Sequence, residues 1–276
     1  MEEDLKVAKM IIYNALVRDY TKYYNDHSFI YKVTNEKING YQDQFKNKTK
    51  MLSVIGSSDQ IFNAILEGVK YIEAFDISIF PKYFLYLKKA SIKALTKEEF
   101  IDFYYNRDYK RCYLDEQKKC KKYFERILKY LEGDSKIFWE NLLKYADWMK
   151  IYESDLFSEY AIFLEKTIEK NKYLQGEYFD KLKSLIDDVI IKTYTGNIVD
   201  IVSCFKQEND LIYLSNIHNY LEISEFTETL KKLKLTENGI ILSYIFCHLN
   251  NSREMFEGFN YKPINKNEGI MVYTKK

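Results

Sequence analysis

Polar and acidic residues follow two short apolar runs in the first third of the chain. The turn Gly56-Ser57-Ser58-Asp59 comes directly after Met51–Ile55, and Asp76 comes directly after Tyr71–Phe75, 20 residues beyond Gly56. A glycine after a buried strand lets the backbone turn sharply and lets a ligand approach it closely. A carboxylate after the next strand can accept both hydroxyls of a ribose. This order predicts a site for a nucleoside-containing ligand.

A third polar turn, Gly196-Asn197, follows a later apolar run and is placed to contact the base of such a ligand. The turn at Gly56 has no second glycine, so it is not the GxGxxG pattern that cradles a pyrophosphate. The pattern therefore favours a cofactor without phosphate, and S-adenosylmethionine fits that description. The alternative interpretation makes Gly56 an ordinary turn and Asp76 a helix N-cap. Spacing alone leaves both open.

The elements that must position these residues alternate between strands and helices. Apolar runs predict strands at residues 51–55 and 71–75 around a helix at 60–66, which is a βαβ unit with a right-handed crossover. A helix follows at residues 80–95. Residues 100–188 carry almost only the periodicity of helices.

After residue 188 the alternation of strands and helices returns. A helix is predicted at residues 223–233. Three strands are predicted, followed by a terminal antiparallel hairpin: 189–194, 210–215 and 239–245, then 259–264 with 269–274. The sum is an α/β protein with an open Rossmann-type sheet, a terminal antiparallel hairpin and a helical insertion.

This pattern predicts three parts of the chain. Residues 1–50 form an N-terminal helical arm, and residues 101–188 form the helical insertion or cap. Residues 51–100 and 189–276 together form the cofactor-binding domain. The insertion either covers the acceptor site or is a purely structural cap.

Composition excludes several classes of protein. Hydrophobic residues make up 46% and charged residues 30% of the 276 residues, which is the balance of a globular chain and not of a disordered one. Lys and Arg number 42 against 41 Asp and Glu, so there is no whole-chain attraction for nucleic acid, and no such partner is expected. No run of 18 apolar residues predicts a transmembrane helix, and the acidic Met1–Asp4 start does not resemble a secretory signal.

The cysteines and histidines do not have the spacing of a metal site. No CxxC pair occurs among four cysteines, so no metal is expected, and a reduced, cytoplasmic protein is the default. These residues are Cys112, Cys120, Cys204 and Cys247, with His27, His218 and His248.

The segment Met51–Phe103 carries an ordered series of motifs. A strand leads into a Gly-Ser-x-Asp turn, and a strand ending in Asp leads into a helix with an LKxAxIKAL pattern and then Glu-Phe. This series resembles the S-adenosylmethionine:diacylglycerol 3-amino-3-carboxypropyltransferases, which are the betaine-lipid synthases, and their relatives in Gram-positive bacteria. Ile212–Ile217 resembles the "LSNI" element of the family, and Phe29–Glu36 resembles its N-terminal arm. The similar pieces cover about a third of the chain and include Gly56, Ser57, Asp59, Asn63, Asp76, Leu87-Lys88, Ala90, Ile92–Leu95 and Glu99-Phe100.

The resemblance implies a class I methyltransferase-like fold that binds S-adenosylmethionine. Many relatives have glycine where Ser58 stands. If that position requires a positive φ, serine is strained there by about 1 kcal/mol or more. The implied roles are Gly56, Ser57, Ser58 and Asp59 near the methionine moiety, Asp76 and Ile77 at the ribose, Asn197 and Ile198 beside the adenine, and Ser215 and Asn216 at the border of cofactor and acceptor.

Three outcomes are open for the reaction. The sulfonium of S-adenosylmethionine makes three carbons electrophilic, and the carbon that faces the acceptor is the one that reacts. The family resemblance favours transfer of the 3-amino-3-carboxypropyl group to a hydroxyl or amine. Methyl transfer is the first alternative, and a non-catalytic binding module with a decayed pocket is the second.

An acceptor hydroxyl or amine needs a group that takes its proton. His218 follows the "LSNI" element closely, and its ordinary pKa lies near neutral pH, so His218 is the first candidate, with Tyr213 and Tyr220 beside it. His248 ends a later apolar run and is the weaker histidine. The alternative for His218 is a hydrogen-bonded loop histidine with no role in catalysis.

The acceptor itself is expected to be a small molecule or a lipid-like one. A lipid acceptor would require a basic or apolar docking face at the membrane surface. Lys118-Lys119-Cys120-Lys121-Lys122 has the charge for peripheral contact of this kind. The alternative is a solvated helix face.

Overall fold

A computed structural model describes residues 1–17, 30–105, 113–157, 163–246 and 256–275. His27, His248, Cys112 and Cys247 lie outside the described residues, as does Phe29 at the start of the arm motif. The chain forms two compact units, each built from three segments. The first unit comprises Met1–Thr34, Gly56–Asp59 and Ser78–Ser184, and the second comprises Asn35–Ile55, Gln60–Ile77 and Leu185–Lys276.

The second unit contains a seven-stranded sheet, counted over the described residues. Its strand order is β3-β2-β1-β4-β5-β7-β6. The strands are β1 (Lys50–Val54), β2 (Tyr71–Asp76), β3 (Ile190–Thr195), β4 (Asn209–Tyr213), β5 (Leu235–Phe246), β6 (Asn260–Pro263) and β7 (Glu268–Thr274).

Strand β1 lies at the centre of the parallel part of the sheet. It pairs with β2 on one side, with Val54 opposite Phe75, and with β4 on the other, with Ser53 opposite Tyr213. The carboxyl ends of these three strands therefore lie at one edge. Strand β7 runs antiparallel to both β5 and β6. This arrangement confirms the predicted class I methyltransferase-like fold with its open sheet and terminal hairpin.

The helices of the second unit connect parallel strands. Helix α2 (Asp59–Leu66) links β1 to β2, while α10 (Ile198–Ile201) and α11 (Ile223–Lys232) lie in the β3–β4 and β4–β5 connections. Apolar residues of the strands and of α10 and α11 share one core. Its buried members include Leu52, Phe75, Ile198, Val202, Phe205, Ile212, Leu214, Phe226 and Ile241.

The first unit is helical. Helix α4 begins with a capping box, in which the Thr96 hydroxyl accepts from the Glu99 backbone and the Glu99 carboxylate accepts from the Thr96 backbone. The guanidinium of Arg126, in α5, donates to both carboxylate oxygens of Glu99, in α4, at 2.6 and 2.8 Å. This ion pair links the two helices. The helices are α1 (Glu2–Val17), α3 (Phe80–Ala94), α4 (Lys97–Tyr104), α5 (Tyr113–Ile127), α6 (Gly133–Tyr145), α7 (Trp148–Glu153), α8 (Leu164–Lys170) and α9 (Tyr178–Leu185).

Helical periodicity overstates the helix content at one point of this unit. Phe157 lies outside any helix and forms an isolated parallel bridge with Ile30. The ring of Phe157 also packs against the rings of Tyr152 and Phe84. Phe157 is therefore buried by aromatic contacts without being part of a helix. Within the described ranges, no helix has both the length and the apolar character needed to cross a bilayer.

Short 3-10 turns lie between the longer elements. The two that precede β1 are Ile38–Gly40 and Gln42–Phe45. The others are Lys172–Leu174, Ile186–Asp188, Val202–Cys204 and Ile217–Tyr220.

The assignment of the sheet core can be tested at β4, which lies between β1 and β5. Ile212 is fully buried and lies between Leu52 of β1 and Ile241 of β5, whereas Ile190 on the edge strand β3 is 54% exposed. We expect Ile212→Ala to lower the free energy of unfolding by about 2–5 kcal/mol, because the substitution leaves a cavity. Ile190→Ala, measured in the same urea titration, should lower it by well under half as much. Equal losses would contradict this assignment of the core.

Candidate functional site

The loop that follows β1 has an unusual backbone. Gly56 has φ +48° and Ser58 has φ +70°, so both residues adopt the left-handed conformation. A Cβ added at Gly56 would meet no described atom within 4 Å, which leaves this face of the loop open to a ligand. Ser58 is buried, and its hydroxyl has no hydrogen-bond partner among the described residues. The strain expected for serine at this position is therefore present in the fold.

The carboxylate of Asp59 holds this loop in place. Its Oδ1 accepts from Lys88 Nζ at 2.9 Å and from the Tyr173 hydroxyl at 2.8 Å. Its Oδ2 accepts from the Thr34 backbone at 2.8 Å and from the Ser57 hydroxyl at 2.9 Å. We call these five residues, all in the first unit, the loop cluster. Both oxygens of Asp59 accept hydrogen bonds within the protein, so its carboxylate positions the loop. Its contact with the cofactor stays a prediction.

Lys88 connects the loop to helix α3. Lys88 and Asp59 are both 0% exposed, and Lys88 Nζ also donates to the carbonyl of Ser57 at 2.9 Å. The rings of Phe84 and Tyr105 lie 5.1 and 5.6 Å from the ammonium. Burial lowers the pKa of Lys88, while the negative charge of Asp59 opposes that shift. The ion pair therefore fixes the backbone of Ser57 as well as the side chain of Asp59.

Removing one partner of this pair gives a clear test. Lys88→Met leaves the carboxylate of Asp59 buried without its cation, so we expect a loss of about 3–5 kcal/mol in the free energy of unfolding. The matched control is Lys231→Met, because Lys231 and Glu228 form an exposed ion pair that solvent screens and that contributes little to stability. Urea denaturation measures both. A loss of similar size in the two variants would show that the loop does not depend on Lys88.

In the second unit, Asp76 is the last residue of β2 and lies at the carboxyl edge of the sheet. Its carbonyl accepts from the Gly196 backbone at 2.9 Å, which places the two predicted polar turns side by side. Asp76 does not cap helix α3, because Ile79 occupies the N-cap position. The structural alternative for Asp76 is therefore wrong. Ile77, beside Asp76, is exposed.

The two residues predicted to contact the adenine, Asn197 and Ile198, have different environments in the structure. The Asn197 side chain accepts from the Val199 backbone at 3.1 Å and caps α10. Ile198 is a buried member of the apolar core of the sheet, which also includes Phe75 and Ile212. Ile198 therefore anchors the turn to the core of the sheet, while Asn197 is half-buried in the turn that follows β3.

A second buried carboxylate lies at the same edge of the sheet. Glu36 accepts hydrogen bonds from the hydroxyls of Tyr213 and Tyr41, the latter at 2.6 Å, and from Gln60 Nε2 at 3.1 Å. Its other oxygen accepts from Ser215 Oγ at 2.5 Å. We call these five residues the edge cluster. All belong to the second unit.

The edge cluster joins predicted residues to one that sequence reasoning left without a role. Tyr213 ends β4, and Ser215 follows it with φ +52°. Burial, together with the negative charge of Glu36, raises the pKa of Tyr41 well above its usual range, so Tyr41 stays a donor. Glu36 was recognised only as part of the arm motif, and nothing in the sequence pairs it with a tyrosine 177 residues away.

His218 does not face the edge as a reactive base. It is 4% exposed, its Nδ1 lies 3.0 Å from the Ser243 hydroxyl, and its ring contacts Phe256 at 4.9 Å. Burial lowers the pKa of His218 to about 4, so the ring is neutral at physiological pH and a weak base. Tyr220 is 73% exposed, and Asn216 lies half-buried beside Ser215. Of the three catalytic candidates, only Tyr213 joins the edge cluster.

Among the described residues, no three side chains of His, Cys, Asp or Glu come together in a way that would hold a metal ion. Cys120 is buried and Cys204 is exposed.

The buried histidine predicts a specific pH dependence. In the unfolded chain His218 takes up a proton near pH 6.5, whereas the folded protein resists protonation until about pH 4. The unfolded state therefore binds more protons in this window, so the contribution of His218 to stability is complete above pH 6.5 and is lost as the pH falls toward 4. Urea titrations at pH 4.5 and 7.5 should show that His218→Gln removes on the order of 3 kcal/mol of this dependence. An unchanged difference between the two pH values would contradict the burial of a neutral ring.

No protein-family model and no curated protein matches this chain. Among solved structures, the chain overlaps with the rRNA methyltransferase AviRa from Streptomyces viridochromogenes at 8% identity and a TM-score of 0.43, over 98% of this chain and 84% of that one. A conserved hypothetical protein of Streptococcus pyogenes overlaps at 7% identity and a TM-score of 0.38, over 83% and 88%. A protein from Streptococcus mutans described as a candidate SAM-dependent methyltransferase overlaps at 8% identity and a TM-score of 0.34, over 87% of this chain and 47% of that one. At this level of overlap, the functional conclusion rests on the residues themselves.

Proposed function

We propose that this chain is an S-adenosylmethionine-dependent transferase whose cofactor binds at the carboxyl edge of β1, β2 and β4. The observation that carries the proposal is the position of Asp76. It closes β2 beside the central strand, is half-buried, and its carbonyl accepts from Gly196, which brings the second polar turn beside it. Ligands of open α/β sheets bind beyond the carboxyl ends of the strands, and a carboxylate there suits the two hydroxyls of a ribose.

The residues present fit a cofactor without phosphate. Gly56 is the only glycine in the turn after β1. Its φ is positive and the space where a side chain would lie is open, so a ligand can approach its backbone. Ser58 contributes a buried hydroxyl without a partner in the described part of the chain. The turn has no second glycine that would bring backbone N–H groups around a pyrophosphate. The predicted roles of Gly56, Ser57 and Ser58 toward the methionine moiety are retained in the proposal.

The group transferred is proposed to be 3-amino-3-carboxypropyl, and this part rests on the family resemblance of residues 51–103. When bound, S-adenosylmethionine supplies a sulfonium with three electrophilic carbons. The protein selects among them by orienting one toward the acceptor. Methyl transfer is the second candidate, because the same ribose contact serves either orientation. The acceptor is proposed to be a hydroxyl or amine of a small or lipid-like molecule.

The ribose contact is tested by calorimetric titration with S-adenosylmethionine, S-adenosylhomocysteine and methylthioadenosine. Asp76→Asn keeps the shape of the side chain but removes a charged acceptor of two hydrogen bonds, so we expect the Kd to rise roughly 10- to 100-fold for all three ligands. Asp180→Asn, on an exposed position of helix α9, is the matched control and should leave the Kd unchanged. An unaltered Kd in Asp76→Asn would count against the ribose role.

The same titration separates the alternatives for the reaction. A preference for methylthioadenosine over S-adenosylhomocysteine indicates aminocarboxypropyl transfer, because methylthioadenosine is its product. The reverse preference indicates methyl transfer. Absence of binding by all three would favour a non-catalytic module, for which the left-handed Ser58 supplies the physical reason.

A further inference from the structure

The backbone that follows β4 is held by two hydrogen bonds from β5. The carbonyl of Ser215 accepts from the Tyr244 backbone at 2.7 Å and from the Ser243 hydroxyl at 2.9 Å. Ser215 itself has φ +52°, a conformation that serine seldom adopts. The turn after β4 therefore depends on its contacts with β5 to keep this backbone in place.

A further contact supports the hydroxyl of Ser243. His218 Nδ1 lies 3.0 Å from Ser243 Oγ. The hydroxyl has one hydrogen, and its bond to Ser215 uses that hydrogen, because a carbonyl oxygen brings none of its own. The hydrogen between His218 and Ser243 must then come from the imidazole. The geometry therefore predicts the neutral tautomer of His218 that carries its hydrogen on Nδ1.

The surroundings of His218 keep its ring in this orientation. His218 is 4% exposed and Ser243 is fully buried. The ring centroids of Phe256 and Phe226 lie 4.9 and 6.1 Å from that of the imidazole. Rotation of the packed ring would leave the hydroxyl of Ser243 without a donor that water could replace. The pair is therefore a fixed support for the Ser215 carbonyl.

Ser215 is the residue through which this support reaches the proposed site. It lies two residues beyond the end of β4, is half-buried, and is predicted to border the cofactor and the acceptor. Its hydroxyl donates to Glu36 Oε1 at 2.5 Å. Because the carbonyl and the hydroxyl belong to one residue, a shift of the backbone at Ser215 would move both.

We propose that His218 is a positioning residue, which through Ser243 sets the backbone of Ser215 at the edge where the cofactor binds. The inference rests on the proposed function, because it presumes that S-adenosylmethionine binds at this edge. In this role the imidazole neither touches the ligand nor transfers a proton. It donates the hydrogen bond that keeps Ser215 in the geometry that the cofactor meets.

The tautomer is tested on the wild type without any ligand. A long-range proton–nitrogen NMR correlation spectrum at pH 7.5 should show a neutral His218 with its hydrogen on Nδ1. The signals are assigned by their loss in His218→Phe. A hydrogen on Nε2 would overturn the inference, because Ser243 would then donate to His218 and could not donate to Ser215.

Two replacements of His218 separate the hydrogen bond from the packing. His218→Asn keeps an N–H donor near the position of Nδ1 but fills the aromatic pocket poorly, whereas His218→Phe fills the pocket and lacks the donor. In calorimetric titration with S-adenosylmethionine, we expect the Kd to rise about tenfold in His218→Phe and to stay within about threefold of the wild type in His218→Asn. A purely structural role predicts the reverse order, because the smaller Asn leaves a cavity.

Replacement of the serine tests the same hydrogen bond from its other side. Ser243→Ala removes the hydroxyl and should also raise the Kd about tenfold. The matched control is Ser154→Ala. Ser154 is likewise buried, and its hydroxyl donates to the Ile151 carbonyl at 2.6 Å, but it belongs to the first unit. Its substitution should leave the Kd unchanged.

Each result decides between the claims. An unchanged Kd in folded His218→Phe and Ser243→Ala variants, with urea denaturation confirming the fold, would overturn the inference and leave the proposed function standing. Should one variant fail to fold, the other variant and the tautomer of the wild type still decide. Failure of the wild type to bind S-adenosylmethionine would overturn the proposed function and this inference with it.

Discussion

The geometry of the loop after β1 depends on a buried ion pair. Taking both Asp59 and Lys88 out of water costs several kcal/mol per ion, and the pair persists because each charge has further partners. Asp59 receives four hydrogen bonds, and Lys88 also binds the carbonyl of Ser57. A backbone held from so many sides can keep Ser58 in a conformation that serine seldom adopts.

The second buried carboxylate is stabilised in a different way. Asp59 is balanced by an ammonium, so its field is largely cancelled at short range. Glu36 accepts hydrogen bonds from Tyr41, Tyr213, Gln60 and Ser215, which come from separate segments of the second unit. The carboxylates of Asp59 and Glu36 therefore have different structural roles. Asp59 orders the backbone of the loop after β1, while Glu36 links the segment before β1 to the end of β4.

The elements of the sheet were predictable because each strand is a short apolar run bounded by turn residues, and Asp76 could be placed because it directly follows such a run. The positive φ at Ser58 could be anticipated from the glycine of the related proteins. Glu36 could not be found, because no periodicity relates it to a residue 177 positions later. The environment of His218 could not be predicted for a related reason. Its place after a strand suggested a base, but its burial against Phe226 and Phe256 comes from tertiary packing.

The order of the strands along the chain has a consequence for synthesis on the ribosome. Strands β1 and β2 emerge together, yet their outer neighbours β4 and β3 are encoded far downstream, with roughly 110 residues between β2 and β3. At about 5–20 residues per second, this first pair waits on the order of 6–20 seconds with both edges unpaired. A two-stranded pair is marginally stable alone, and open edges recruit other strands. Because β4 is synthesised after β3, the free edge of β1 waits longest, and the nascent chain is most exposed to mispairing there.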